Sequence, residues 1–181
     1  MMKHLWMAAI TTLLVAAPAH AARDVSESLN AADDGRVSIS NTSGSIEVEG
    51  WSRNQVEVTG TLGDEVEELI FERDGDNVRV KVKIPESKGR YRDASADLVI
   101  RVPENSSIDV ATISADIDVR GVLGEQDLQA ISGDVTAESF DSDIDVETVS
   151  GDIEIQGDGK GARTDLQTVS GDISATNIAG D

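Results

Sequence analysis

The sequence has 181 residues, 35 acidic against 15 basic side chains, a formal net charge of −20 at pH 7 and no cysteine. Such an acidic chain repels nucleic acid and anionic membrane surfaces, so we expect neither as a partner. Without cysteine it can form no disulfide and carry no lipid on an amino-terminal cysteine, so packing and backbone hydrogen bonds must stabilise it.

Residues 1–21 are predicted to be a signal peptide. Lys3 precedes the apolar run Leu5 to Ala17, and the small-residue pattern around 19–21 is typical of signal peptidase cleavage after Ala21. The run is shorter than the roughly 20 residues that span a bilayer, so we expect cleavage and no membrane insertion afterwards. Cleavage would remove Lys3 and both histidines and shift the net charge to −21. The sequence therefore predicts an exported protein of the periplasm, the cell surface or the extracellular medium.

Residues 22–36 are expected to form a linker, and residues 37–104 a less regular amino-terminal β region. Candidate strands cover residues 37–40, 45–49, 55–61, 78–84 and 96–102. Asp74 to Asn77 predicts a turn, and Pro85 and Pro103 each follow a predicted strand because proline cannot donate a hydrogen bond to the sheet. We expect this region to cap or begin a solenoid formed by the residues that follow.

Residues 105–181 contain an internal repeat. The phrase [TA]-[IV]-S-[GA]-D-[IV] occurs four times, with its serine at positions 114, 132, 150 and 170, in steps of 18, 18 and 20. Each unit holds two short runs in which apolar and polar residues alternate, as in a half-buried strand. Stacking such units buries a continuous aliphatic stripe that one unit alone could not bury. The predicted fold is all-β, a β-solenoid or parallel β-helix-like stack of 18–20-residue repeats, and a small antiparallel meander is the alternative.

The Ser-Gly-Asp corner of each repeat invites two interpretations. Ser150 beside Asp152 would suit a nucleophile with its carboxylate, but the chain after residue 21 has no histidine to act as base. The structural interpretation is that glycine supplies a permissive backbone, while serine and aspartate bind nearby turn amides. Because the corner recurs in the same form in successive units, we favour the structural interpretation and predict no catalytic residue.

The corner aspartates are also candidate metal ligands. Asp134, Asp152 and Asp172 would stack at the strand spacing of about 4.8 Å. Each neighbouring pair of like charges would then cost about 1 kcal/mol when solvated. Either turn amides or a cation must offset that repulsion, and calcium is a hard cation that prefers oxygen ligands. The sequence names these three residues as calcium candidates and predicts no other cofactor.

A carbohydrate-active β-helix enzyme is the alternative function, because glycoside hydrolysis uses a pair of carboxylates. The chain has many carboxylates, but the sequence singles out no pair. Trp51 is the only candidate platform for stacking on a sugar ring, and a packed indole is the competing interpretation. We therefore predict a non-enzymatic protein.

The phrase T-[IV]-S-G-D-[IV] and the lead-in Ala96 to Pro103, a strand ending in Val-Pro, resemble the putative adhesin family of bacterial envelope proteins, of the DUF4097 type. The resemblance covers about residues 36–181. It implies a β-solenoid-like, secreted or surface-associated protein with adhesion as its family-level role, and a surface, glycan or protein as its partner. It supplies no catalytic residue.

The last copy of the phrase follows the consensus almost to Asp181, whereas terminal coils of solenoids are usually atypical. We expect either that the sequence is a fragment or that its open end pairs with another molecule, which includes end-to-end self-association.

Overall fold

The computed structural model describes residues 22–85, 94–160 and 163–178, and the predicted signal peptide lies outside these ranges. The described residues form thirteen strands and no helix, so the all-β prediction is confirmed. No helix in the same ranges is long and apolar enough to cross a membrane. The strands are β1 (Arg23–Asn30), β2 (Arg36–Trp51), β3 (Gln55–Leu62), β4 (Glu68–Asp74), β5 (Asn77–Lys83), β6 (Ala96–Pro103), β7 (Ser107–Arg120), β8 (Gln126–Ser132), β9 (Val135–Ser139), β10 (Ile144–Ser150), β11 (Ile153–Gly157), β12 (Thr164–Ser170) and β13 (Ile173–Thr176).

Two long strands, β2 and β7, each contribute to two ladders of paired strands. The first half of β2 pairs with β5 and its second half with β6, while β7 divides between β8 and β9. The first sheet therefore runs β4-β5-β2-β7-β8-β10-β12. The second sheet runs β1-β3-β6-β2-β7-β9-β11-β13.

Successive repeats stack as parallel coils. Ala130 pairs with Thr112 and Thr148, and Thr148 pairs with Thr168, so the sheet register follows the steps of the sequence repeat. Every strand pair between β7 and β13 is parallel. The antiparallel meander is therefore wrong for the described part of the repeat region, and the fold is β-solenoid-like.

The amino-terminal strands cover the first coil on both sheets. In the second sheet, β1 lies antiparallel to β3 and β3 antiparallel to β6, while the β4–β5 hairpin extends the first sheet. Residues 22–36 are thus not only a linker, because they contain β1. The predicted strands 37–40 and 45–49 are one bent strand, β2, and the predicted turn at 74–77 joins β4 to β5. β2 pairs with β7 from Arg36 to Glu49. The predicted amino-terminal region, residues 37–104, and the repeat region, residues 105–181, therefore share continuous sheets.

The inward side chains of the two sheets meet in one aliphatic core. Val110, Leu128 and Val146 of the first sheet and Val119 and Ile155 of the second are fully buried. Each such side chain stabilises the fold by roughly 1.5–3 kcal/mol on burial. Because each coil adds only a few of them, the core is a narrow stripe that depends on stacking.

Candidate binding face

Three aspartates of the Ser-Gly-Asp corner are connected from coil to coil. The backbone N–H of Asp134 donates to Oδ1 of Asp116 at 3.0 Å. The same bond joins Asp152 to Asp134 at 2.9 Å and Asp172 to Asp152 at 2.8 Å. Each carboxylate thus accepts the amide of the next coil and not an amide in its own turn. The predicted hydrogen bond between the aspartate and its own turn is therefore wrong.

A threonine, and not the predicted serine, binds the corner through its hydroxyl. The hydroxyl of Thr148 donates to the carbonyl of Gly133 at 3.5 Å, and that of Thr168 to the carbonyl of Gly151 at 3.2 Å. In the described part of the chain, the serine side chains of the three Ser-Gly-Asp copies form no hydrogen bond. Thr148 and Thr168 therefore turn inward and satisfy a carbonyl of the preceding coil, as polar side chains removed from solvent must. Thr112 instead donates to the carbonyl of Ala115 in its own corner, at 3.1 Å.

The corner glycines are required by a close approach between coils. A Cβ built on Gly151 would lie 2.0 Å from the carbonyl oxygen of Gly133, and one on Gly171 would lie 2.0 Å from that of Gly151. None of the corner glycines Gly133, Gly151 and Gly171 has a positive φ. The predicted reason for glycine, backbone freedom, is therefore replaced by a steric one.

The cross-coil bonds bear on the calcium candidates. The carboxylates of Asp134 and Asp152 each accept a backbone amide, which is one of the two ways in which their repulsion can be offset. Within the described ranges, no group of three or more aspartate, glutamate or histidine side chains is placed to hold a metal ion. The structure does not test calcium binding at Asp134, Asp152 and Asp172, and they stay candidates from the sequence alone.

The outward side chains of the first sheet form three straight rows, because β7, β8, β10 and β12 pair in register. Together the rows are called the three-row face. The acidic row is Asp109, Asp127, Asp145 and Asp165; the polar row is Ala111, Gln129, Glu147 and Gln167; the aliphatic row is Ile113, Ile131, Val149 and Val169.

The acidic row places like charges opposite one another. Asp145 pairs in register with Asp127 on one side and Asp165 on the other. Desolvation and then the charges of Asp165 and Asp127 raise the pKa of the Asp145 carboxyl above its usual range, while Arg163 acts in the opposite direction. Arg163 is bonded to Asp165 at 3.1 Å and so neutralises that end of the row.

The aliphatic row is exposed to solvent although it consists only of β-branched apolar residues. Ile113, Ile131, Val149 and Val169 are 50%, 52%, 49% and 82% exposed. Ile131, Val149 and Val169, with the adjoining polar row, line a groove of about 370 Å³ on the surface of the first sheet. A contiguous apolar strip flanked by polar side chains is typical of a contact surface.

The three-row face ends in basic residues on β5. Ser40 pairs with Ala111 on one side and with Lys81 on the other, so Lys81 continues the polar row beyond β2. Arg79, next to it, is bonded to Glu72 at 3.1 Å. A smaller groove of about 170 Å³ at this end is lined by both cations and reaches Ala111. The acidic row, which crosses all four strands of the face, thus meets cations beyond β7 at this end.

Trp51 is not a free platform for a sugar ring. Its indole Nε1 donates to the carbonyl of Gln55 at 2.7 Å, and the guanidinium of Arg53 lies 4.8 Å from the ring centroid. One face of the indole is therefore covered by a cation. This arrangement agrees with the packed interpretation and gives no support to the carbohydrate-active alternative.

The aliphatic row was not among the residues selected from the sequence. Its signal is present in the phrase [TA]-[IV]-S, since strict alternation from an inward Leu128 and Ala130 places Ile131 outside. A β-branched residue that falls on the polar side of the alternation in all four copies would have identified the row.

The stacked coils and the regular outer rows define a β-solenoid-like repeat protein. A family model described as "Toastrack DUF4097" matches residues 34–179. The chain belongs to this family, which confirms the resemblance found in the sequence.

A solved structure shares the fold at low sequence identity. A protein of Clostridium sporogenes described as a "putative cell adhesion protein" is 10% identical, with 84% of this chain and 99% of that chain covered and a TM-score of 0.64. A "putative adhesin" of Bacteroides fragilis is 12% identical, covers 84% of this chain and 97% of its own, and has a TM-score of 0.30. No curated protein matches the chain.

Proposed function

We propose that the chain is an exported, non-enzymatic binding module of the bacterial envelope, with an adhesin-like role, and that the three-row face is its contact surface. The observation that carries this proposal is the aliphatic row, in which four apolar side chains about half or more exposed lie side by side. Apolar area of this kind is unfavourable in water and gains free energy when a partner covers it, at about 25 cal/mol per Å².

The arrangement of the rows suits an elongated partner. Each coil repeats one aliphatic, one polar and one acidic position at the strand spacing of about 4.8 Å. Solenoid proteins use such extended repeated surfaces to contact several points of a ligand at once. A glycan or protein surface with an apolar strip and hydrogen-bond donors beside it would match the aliphatic row and the adjoining Gln129, Glu147 and Gln167.

Export is part of the proposal. It is supported by the predicted signal peptide at residues 1–21 and by the cell adhesion description of the Clostridium sporogenes protein that shares the fold. Protease digestion of intact cells, with a known periplasmic protein as control, separates the two envelope locations. Cleavage on intact cells would place the face outside and support adhesion, whereas protection until the outer membrane is opened would restrict the partner to the periplasm.

A binding experiment tests the face itself. Labelled protein is applied to cell-envelope fractions, immobilised glycans and extracellular-matrix proteins, and the I131T/V149T double variant is compared with the natural chain. We expect at least tenfold weaker binding to the captured surface, because two adjacent apolar contacts are lost. The matched control is T136A/E154Q on the outer side of the second sheet, which should bind normally. Equal binding by all three proteins would exclude the three-row face.

A further inference from the structure

The carboxyl-terminal coil leaves both sheets open. β12 pairs with β10 and β13 with β11, and in the described ranges no strand lies on their other side. The core is uncovered at the same place. Leu166 is only partly buried, whereas Leu128 and Val146, its counterparts in the preceding coils, are fully buried. Ile173 is 45% exposed, against 1% for Ile153.

Backbone hydrogen-bonding groups face this open end. The N–H of Ile144 donates to the carbonyl of Arg163. This bond determines which backbone groups of β12 point towards β10 and which point away from it. In a parallel ladder every second peptide group points away from the neighbour, so those of Thr164, Leu166 and Thr168 point outward. Two adjacent strands with unpaired donors and acceptors are a template for a further strand.

The open end lacks the charged side chains that protect the other sheet edges. The edge strand β1 carries three charged residues in eight, and β4 carries four in seven. β12 has only Asp165, which is paired with Arg163, and β13 has none. Charged side chains on an edge strand are the common means of preventing edge-to-edge pairing. The carboxyl-terminal edge is therefore built without that protection.

The charge distribution identifies a second copy as the occupant. The last coil, residues 163–178, holds one arginine and two aspartates, while the whole chain carries −20. Two copies that approach through this end meet with little repulsion, whereas most other approaches bring large negative charges together.

We propose that two copies of the chain associate end to end at β12 and β13. A twofold axis perpendicular to both sheets would set each strand antiparallel to its own copy and continue both sheets through the dimer. If β12 pairs with its copy about a centre at Leu166 or at Gln167, inward side chains lie opposite inward ones. This is required because side chains alternate between the two faces of a strand. Either centre also places Asp165 opposite a neutral residue, Gln167 or Val169 of the other copy. The dimer covers Leu166 and Ile173. Its two three-row faces lie on the same side of the joined first sheet and extend in opposite directions from the shared centre.

Sedimentation equilibrium over protein concentrations from 1 to 300 μM at about 0.15 M salt tests the proposal. We expect a concentration-dependent dimer of the natural chain. An inward-facing charge in Leu166→Lys should raise the dimer dissociation constant at least tenfold, because it would be buried without a partner. Ser26→Lys, on the charged edge strand β1, is the matched control and should dimerise like the natural chain. A monomer at every concentration, or a dimer unaffected by Leu166→Lys, would overturn the proposal.

Hydrogen exchange keeps the test decisive if Leu166→Lys disturbs the last coil. In the natural chain, the amides of Leu166 and Thr168 should exchange more slowly at high than at low protein concentration, while β1 amides should not change. Exchange of the two β12 amides that is independent of concentration, under conditions where a dimer is present, would place the interface elsewhere and reject the proposal.

Discussion

The backbone N–H of Asp152 lies 2.9 Å from Oδ1 of Asp134 in the preceding coil and donates a hydrogen bond to it. The two residues occupy the same position of the repeat, 18 residues apart, so the bond joins equivalent points of successive coils. Hydrogen bonds to an ionised carboxylate are stronger than neutral ones. The aspartate that gives the phrase its charge thus connects the coils, and the amides offset part of the repulsion between stacked carboxylates.

Replacement of Asp134 should show this connection as a loss of stability. Asp134→Ala removes the acceptor of the Asp152 amide and should lower the free energy of unfolding by about 1–3 kcal/mol. Asp134→Asn keeps a side-chain oxygen at the same place and should lower it less. Urea and thermal unfolding followed by circular dichroism measure both. Asp127→Ala, in the acidic row, is the control, and a loss in this variant equal to that of Asp134→Ala would contradict the role of the cross-coil bond.

Calcium should add little to these corners. One oxygen of Asp134 and one of Asp152 already accept an amide, and no cluster of three acidic ligands is present in the described ranges. Thermal melts at constant ionic strength, with calcium chloride exchanged for sodium chloride, should therefore show no additional rise. A rise of several degrees that is lost in Asp152→Asn would instead establish the aspartate stack as a calcium site.

The close approach of the corner glycines gives a steric prediction. In Gly151→Ala the new methyl group would lie 2.0 Å from the carbonyl oxygen of Gly133, so the two coils must move apart. We expect a loss of about 1–3 kcal/mol or more, the range found for overpacked interiors. Ser150→Ala, at the adjacent exposed position, should change the free energy of unfolding by less than about 0.5 kcal/mol. Urea unfolding measures both variants. Similar free energies of unfolding for the two would show that the coils can separate at no cost.

The repeat and its alternation were sufficient to predict the stacked strands, because period-2 runs at steps of 18 and 20 have few other ways to bury their apolar sides. The amino-terminal strand β1 was missed for a physical reason. Of its eight residues only Val25 and Leu29 are apolar, and it pairs antiparallel with β3, a strand more than 20 residues away. An edge strand that buries little carries a weak pattern.

The details of the corner depend on the register between coils, which a single repeat does not show. Serine, glycine and aspartate are ordinary turn residues, so the local interpretation was the natural one. Only the stacked structure reveals that glycine contacts the preceding carbonyl and that aspartate binds the next amide. The outward placement of Ile131 and Val149, in contrast, was readable from alternation alone.

The acidic row leads to a pH-dependent prediction. The pKa of Asp145 is raised in the folded chain, first by desolvation and then by Asp165 and Asp127. Between its unfolded and folded pKa values, the folded state therefore binds more protons at this site than the unfolded state does. Its contribution to stability falls as the pH rises through that window, so ionised Asp145 destabilises the fold at neutral pH.

Asp145→Asn should accordingly be more stable than the natural chain at pH 7, by up to about 1 kcal/mol because the carboxylate is exposed and screened. The difference should shrink as the pH falls towards about 4, where the carboxyl becomes protonated in both states. Unfolding midpoints of both proteins from pH 3.5 to 8 measure it. Glu154→Gln is the matched control, since Glu154 lies opposite Thr136 and Ser174 and faces no carboxylate across the sheet. If Glu154→Gln gained as much at pH 7, the gain would come from lower net charge and not from the acidic row.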